Sequence, residues 1–187
     1  MSRYASRAGQ KLEHALAAFA VNPAGWVCAD LGCSTGGFVD CLLQHGAAKV
    51  FAVDTGYGVL DWKLRKDPRV AVLERTNAMH VTLPESVRMV TIDVGWTKQK
   101  FILPAAAKML LPGGLIITLI KPHYEAEAAL LKNGVLPAEL VDSVVAQVKT
   151  DIAQAGLHLL KITPSPITGS GGNSEVLALL NVAGTAA

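Results

Sequence analysis

Cysteine is scarce: three residues in a chain of 187, at Cys28, Cys33 and Cys41. An odd number without a Cys-x-x-Cys pair fits neither a disulfide framework nor a zinc site. The five histidines are scattered. The reading is a reduced, cytoplasmic protein without a metal. Charged residues make up only 17% and aromatics 5%, against 51% hydrophobic residues. So apolar a chain is not disordered. Its mean hydropathy of +0.36 raises the question of a membrane span. The greasiest stretch, Met109 to Ile120, is broken by Pro112-Gly113-Gly114 and falls short of the roughly 18 apolar residues a span requires. Met1-Ser2-Arg3-Tyr4 contains no apolar h-region, so no signal peptide is expected. The length suits one domain, residues 1–187, with a well-buried core.

The net charge of +2 names no partner. Its distribution is uneven: residues 1–121 carry 14 Lys and Arg against 9 Asp and Glu, whereas residues 122–187 carry 3 against 6. A basic N-terminal portion favours an anionic partner. Ordinary solvated faces would give the same count.

Strand and helix patterns alternate. The periodicity predicts helices over about 7–19, 37–44, 102–111 and 137–155, the third ended by Pro112-Gly113-Gly114. Apolar or β-branched runs predict strands at 26–30, 50–53, 70–73, 89–92, 115–120, 157–163 and 176–182. Strands separated by helices imply right-handed crossovers and a doubly wound, mostly parallel, Rossmann-like α/β sheet. The last two strands are joined without a helix, which puts an antiparallel strand near one edge.

Asp30-Leu31-Gly32-Cys33-Ser34-Thr35-Gly36-Gly37-Phe38 falls where the first strand turns into a helix, the place where open α/β sheets bind ligands. Its G-x-x-x-G-G spacing differs from the G-x-G-x-x-G of dinucleotide sites. Asp54, at the end of the second strand, can accept both hydroxyls of a ribose. Together these favour S-adenosylmethionine, which has a ribose and no phosphate. A glycine turn serving only helix–strand contact is the alternative.

Polar residues also stand where a buried sheet has no need of them. Asp93 closes one apolar strand and Lys121 another, and Glu175 enters the last. The strands ending in Asp93 and Lys121 are expected to flank the first strand and open into the glycine-loop crevice. A lysine ending a buried strand is costly without partners. Lys11 lies on the first helix, at a distance from the crevice that spacing does not give.

Ser6 to Leu12, Asp30 to Phe38, Val53 to Gly58, Leu60 to Arg65, Glu74 to Ala78, Leu119 to Pro122, and Thr163 to Gly169 with Asn173 and Glu175 follow one another in a recognisable order. In these segments the chain resembles the FtsJ-like ribose 2′-O-methyltransferases, and within them the catalytic domain of the TlyA (haemolysin A) type of rRNA methyltransferase. The resemblance implies a Lys-Asp-Lys-Glu tetrad at Lys11, Asp93, Lys121 and Glu175. It also implies cofactor contacts from Asp30, Gly32, Ser34, Thr35, Gly36, Gly37, Phe38, Asp54, Asn77 and Asp93. The substrate it implies is RNA, ribosomal RNA or a ribosomal subunit, with no membrane contact. A ribose hydroxyl must lose its proton as it attacks, and Lys121 is the candidate base or activator. Lysine ordinarily titrates near 10.4; a nearby cation such as Lys11 and desolvation lower that value, while Asp93 and Glu175 oppose the change.

The chain departs from the family pattern in places. Asp93 is followed by Val94-Gly95-Trp96-Thr97-Lys98-Gln99-Lys100, where relatives have Val-Ser-Phe. Trp96 is read either as a stacking surface for a base or as a packed helix-start residue, and Lys98 and Lys100 as phosphate contacts. His123 is read as a solvated loop histidine near Lys121, and Trp62 as a packed residue. Arg3, Arg7, Arg69 and the Lys63-Leu64-Arg65-Lys66 cluster are candidate phosphate contacts, or simply solvated. TlyA-type proteins carry an N-terminal S4-type RNA-binding domain, and this chain begins about where that domain would end. The competing functions are methyl transfer to a small molecule and, on a similar sheet, nicotinamide-dependent oxidoreduction. The loop spacing and Lys121 argue against the latter.

Overall fold

The computed structural model describes residues 3–182, so the domain expected over 1–187 extends past the described residues at both ends, and Met1-Ser2 lies outside them. Among the described residues, six α-helices and seven strands follow in the order α1 (Ala8–Phe19), β1 (Val27–Leu31), α2 (Gly37–Gln44), β2 (Lys49–Val53), α3 (Trp62–Arg65) and β3 (Val70–Leu73). They continue as β4 (Val87–Ile92), α4 (Gln99–Lys108), β5 (Leu110–Ile120), α5 (Pro122–Glu125), α6 (Ala138–Gln154), β6 (Leu157–Pro164) and β7 (Val176–Val182). The strands form one sheet in the order β3-β2-β1-β4-β5-β7-β6. Neighbours are parallel from β3 to β5, and β7 runs antiparallel to both β5 and β6. The antiparallel strand is thus one in from the edge, as the helix-free connection required.

Alternation along the strands supplies two cores, one per face. Leu12, Leu16, Phe38, Leu42, Ile117 and Leu119 meet on the face covered by α1 and α2. Phe51, Ile92, Ile102, Ile116, Val148 and Ile152 meet under α4 and α6. With both faces covered, β5 is apolar at nearly every position, as a strand buried on both sides must be.

Two expectations need correction. Pro112-Gly113-Gly114 does not end a helix: α4 stops at Lys108, and the Pro-Gly-Gly lies within β5, where pairing jumps from Val87↔Leu110 to Met89↔Leu115. The extra residues are absorbed as a bulge, where glycine and proline are tolerated. The strands ending in Asp93 and Lys121 do not both flank β1; β4 does, and β5 lies outside β4. Asp93 and Lys121 therefore follow adjacent strands, close enough for their side chains to meet.

Candidate active site

The carboxyl ends of β1, β2, β4 and β5 open into a cavity of about 590 Å³, within the range of small-molecule sites. The switch in strand order falls between β1 and β4, and the loop from β1 into α2 forms the floor. At Gly32 the backbone adopts φ +83°, and a Cβ there would stand 2.7 Å from the Asp93 carbonyl oxygen, so only glycine lets β1 and β4 close at this point. Gly37, at the start of α2, meets the start of α1, and a Cβ would overlap Ser6 Oγ and lie 2.9 Å from Gly9 N. That close approach swings α1 over the crevice and delivers Lys11 into the cavity.

Asp30, Gly32, Ser34, Thr35, Gly37, Phe38, Asp54, Asn77, Asp93, Lys11, Lys121 and Glu175 all line the cavity. Gly36 does not. It holds φ +97° at the head of α2, and a Cβ there would lie 2.7 Å from Leu60 Cδ1 and overlap Leu64. Its close neighbours are thus the loop and helix after β2.

Asp54 accepts N–H groups on both carboxylate oxygens, Ser34 N on Oδ2 at 2.8 Å and Gly56 N on Oδ1 at 2.7 Å. Each oxygen keeps a lone-pair direction for a hydroxyl. Asp30 is buried at the end of β1; its Oδ1 accepts the Thr91 hydroxyl at 2.7 Å while Oδ2 has no partner. Burial, with Asp93 and Asp54 nearby, pushes its carboxyl up to about 8. An unpartnered carboxyl oxygen on a cavity wall is suited to a cationic ligand. Asn77 Oδ1 accepts Met79 N at 2.9 Å, fixing the rim opposite.

The four residues of the expected tetrad form two ion pairs. Lys121 Nζ lies 2.6 Å from Asp93 Oδ1 and donates to the Val94 carbonyl at 3.1 Å. Lys11 Nζ pairs with Glu175 Oε2, the two side chains only 7% and 3% exposed. Buried charges are tolerated when paired this way.

Around the mouth the structure revises several readings. Trp96 is 83% exposed at φ +55°, a conformation uncommon for a bulky residue, and its ring centroid lies 5.9 Å from that of Tyr124. Trp62 is 64% exposed under Lys66, not packed, because α3 is one turn long and its inward face is filled by Leu64. His123 is buried, not solvated, its ring 4.1 Å from that of Tyr124, and burial together with Lys121 and Lys11 pushes it down. Lys98 does not reach outward; its Nζ donates to the Glu125 carbonyl at 2.8 Å. Arg3, Arg65 and Arg69 pair with Glu13, Glu74 and Asp67, whereas Arg7 is exposed at the cavity rim.

Three contributors are not legible as site residues from spacing. Thr91, hidden inside β4, orients Asp30. Glu125 accepts Gln99 N at 2.8 Å and so ties α5, directly after Lys121, to the start of α4. Glu74 accepts the amides of Gly58 at 2.9 Å and Val59 at 3.1 Å and pairs with Arg65. These bonds, the Gly58 amide foremost, hold its carboxyl down to about 2 and fix the loop after Asp54. Only Glu74 left a signal, inside the segment Glu74 to Ala78.

Strand order, glycine loop and crevice together define a Rossmann-like methyltransferase fold. The FtsJ-like methyltransferase family matches residues 4–182, and the chain belongs to it. It is 40% identical over 178 residues to the 16S/23S rRNA (cytidine-2′-O)-methyltransferase TlyA of Mycobacterium tuberculosis, covering 92% of this chain and 66% of that protein. It is 38% identical over 182 residues to Hemolysin A of Brachyspira hyodysenteriae, covering 94% and 76%. Among solved structures, a candidate hemolysin of Streptococcus thermophilus superposes with a TM-score of 0.94 at 37% identity, covering 99% of this chain and 69% of that one. A Listeria monocytogenes structure at 16% identity and TM-score 0.70 shares the fold, covering 95% and 99%. The chain therefore spans about two thirds of the length of the TlyA relative, 66%. Among the described residues, no helix is long and apolar enough to cross a membrane, and no group of three or more His, Cys, Asp or Glu could hold a metal ion.

Proposed function

We propose that residues 1–187 act as one methyltransferase domain that moves the methyl group of S-adenosylmethionine to a ribose 2′-hydroxyl of RNA, with ribosomal RNA in the cytoplasm as substrate. The observation that carries this reading is the pair of lysine–carboxylate contacts, Lys121–Asp93 and Lys11–Glu175, facing the cavity that the glycine loop floors. Membership in the FtsJ-like methyltransferase family supports the same reading over a dinucleotide oxidoreductase.

The residues fit the cofactor. Asp54 keeps an acceptor direction on each oxygen for ribose hydroxyls, and Asp30 Oδ2 offers a partner to positive charge. When bound, S-adenosylmethionine supplies an electrophilic methyl on a sulfonium. Two of the three N–H directions of Lys121 are taken by Asp93 and Val94, which leaves one for the attacking oxygen. Lys121 orients the hydroxyl and, once it has yielded its own proton, takes the hydroxyl proton at Nζ. Lys11 and Glu175 close the opposite side. The rest of the rate comes from holding oxygen, carbon and sulfur in line at about 3–3.5 Å.

RNA meets the site at its rim. Trp96 and Tyr124 present an open aromatic surface beside Lys121, suited to stacking a base lifted from its strand. Arg75 lies 4.2 Å from the ring of Tyr57, itself 71% exposed, and with Arg7, Lys63 and Lys100 it supplies cations for phosphates.

Incubation with methyl-labelled S-adenosylmethionine and unmethylated ribosomal subunits tests the reading. Label recovered on a ribose of the RNA supports it; label in a small metabolite and none in RNA overturns it.

A further inference from the structure

Glu175 reaches Lys11 from the end of the loop of residues 165–175 that joins β6 to β7. A glutamate side chain rotates about three bonds, so its carboxylate stays on Lys11 only if its surroundings are shaped for it. Gly169 shapes them. Its backbone is extended (φ −76°, ψ −165°), a conformation open to any residue, so what a side chain would meet there is a shortage of space that only a shift of Glu175 could relieve. An added methyl would overlap Glu175 Oε1 and stand 2.8 Å from Cδ and 3.3 Å from Cγ.

The loop is stapled at this distance. Gly169 N donates to the Asn173 carbonyl at 2.9 Å, and Ser165 N donates to the Glu175 carbonyl at 2.9 Å. The buried Asn173 amide accepts Leu136 N at 3.0 Å and donates to Gly134 O at 3.0 Å and Ser170 O at 2.9 Å. One side chain thus joins the Glu175 loop to the turn at 132–136, which follows α5 and so the Lys121 strand.

We propose that Gly169 is a positioning residue: its missing side chain leaves the space in which the Glu175 carboxylate meets Lys11, and Asn173 holds the loop at that spacing. The inference rests on the reading that the Lys11–Glu175 pair serves methyl transfer. It assigns Gly169 a role in geometry, distinct from that of a turn-forming glycine.

A double-mutant cycle on the full chain tests it, using Gly169→Ala, Glu175→Ala and the double variant. The expected result is a fall in kcat of about 10-fold or more for Gly169→Ala, with KM for ribosomal subunits and Kd for S-adenosylmethionine within about 3-fold, a pattern that marks loss in the transition state alone. In the Glu175→Ala background the same substitution should change kcat by less than about 2-fold, since the displaced group is already gone. A crystal structure of Gly169→Ala should show the Glu175 carboxylate moved off Lys11. Equal cost in both backgrounds, or an unmoved carboxylate, overturns the proposal. Should Gly169→Ala fail to fold, Asn173→Ala takes its place in the same cycle with the same two outcomes. If Glu175→Ala alone leaves kcat intact, the tetrad reading fails instead, which keeps the two failures apart.

Discussion

Lys121 Nζ and Asp93 Oδ1 lie 2.6 Å apart at the ends of the adjacent strands β5 and β4. Strand order makes β4 and β5 neighbours, and with Ile92 in register with Thr118 the Lys121 backbone lies two residues beyond the level of Asp93, a gap that the long lysine side chain spans. Lys121→Ala should therefore abolish methyl transfer while leaving the cofactor side of the cavity intact. Loss of a positioned general base costs about 10²–10⁴-fold in rate. Calorimetric titration with S-adenosylmethionine beside a transfer assay checks the split; near-normal turnover would remove Lys121 from the reaction.

On the proposed reading, Asp30 should make cofactor binding depend on pH. Its carboxyl, raised to about 8 by burial, holds a proton at neutral pH that the unfolded chain has already released above about 3.9. Its contribution to stability is thus greatest in acid and declines as pH rises between those two values. Asp30→Asn should remove that decline and make the unliganded protein more heat-stable near pH 8. A cationic ligand at Oδ2 favours the ionised form, so binding should release a proton. Calorimetry in two buffers of different ionisation enthalpy reads this directly; identical enthalpies would contradict it.

Glu74 has the opposite sign. Held down to about 2 chiefly by the Gly58 amide and Arg65, it stabilises the loop after Asp54 fully above the ordinary glutamate value near 4.3, and this is lost as pH falls toward about 2. Glu74→Gln should loosen residues 56–60 at neutral pH. Amide exchange at Gly58 and Val59 is the measurement: faster exchange in the variant is expected, and unchanged protection would refute the clamp.

Much of this arrangement was legible in the sequence because it depends on local chemistry. The β-branched run ending at Lys121, the glycines after β1 and Asp54 after β2 each announce their place. What stayed hidden depends on long-range contact or on elements too short for periodicity. One-turn helices such as α3 and α5 leave no 3.6-residue pattern, so the exposure of Trp62 and the burial of His123 went unread. The position of Lys11 depends on how closely α1 meets Gly37, a fact of three dimensions. Pro112-Gly113-Gly114 reads as a helix stop, yet a bulge uses the same residues.

Trp96 should matter for RNA and for nothing else. Trp96→Ala should raise KM for ribosomal subunits about 10-fold, in keeping with the roughly 1–3 kcal/mol that stacking one base contributes. Kd for S-adenosylmethionine should not move. A variant that binds RNA normally would return Trp96 to an idle surface residue.

The most direct measurement is mass spectrometry of nucleosides from unmethylated ribosomal subunits treated with cofactor and either the native protein or Lys121→Ala. A 2′-O-methylated nucleoside formed by the native protein and missing with the variant is the expected result. Methylation on a base, or none in RNA with either protein, would contradict the assignment.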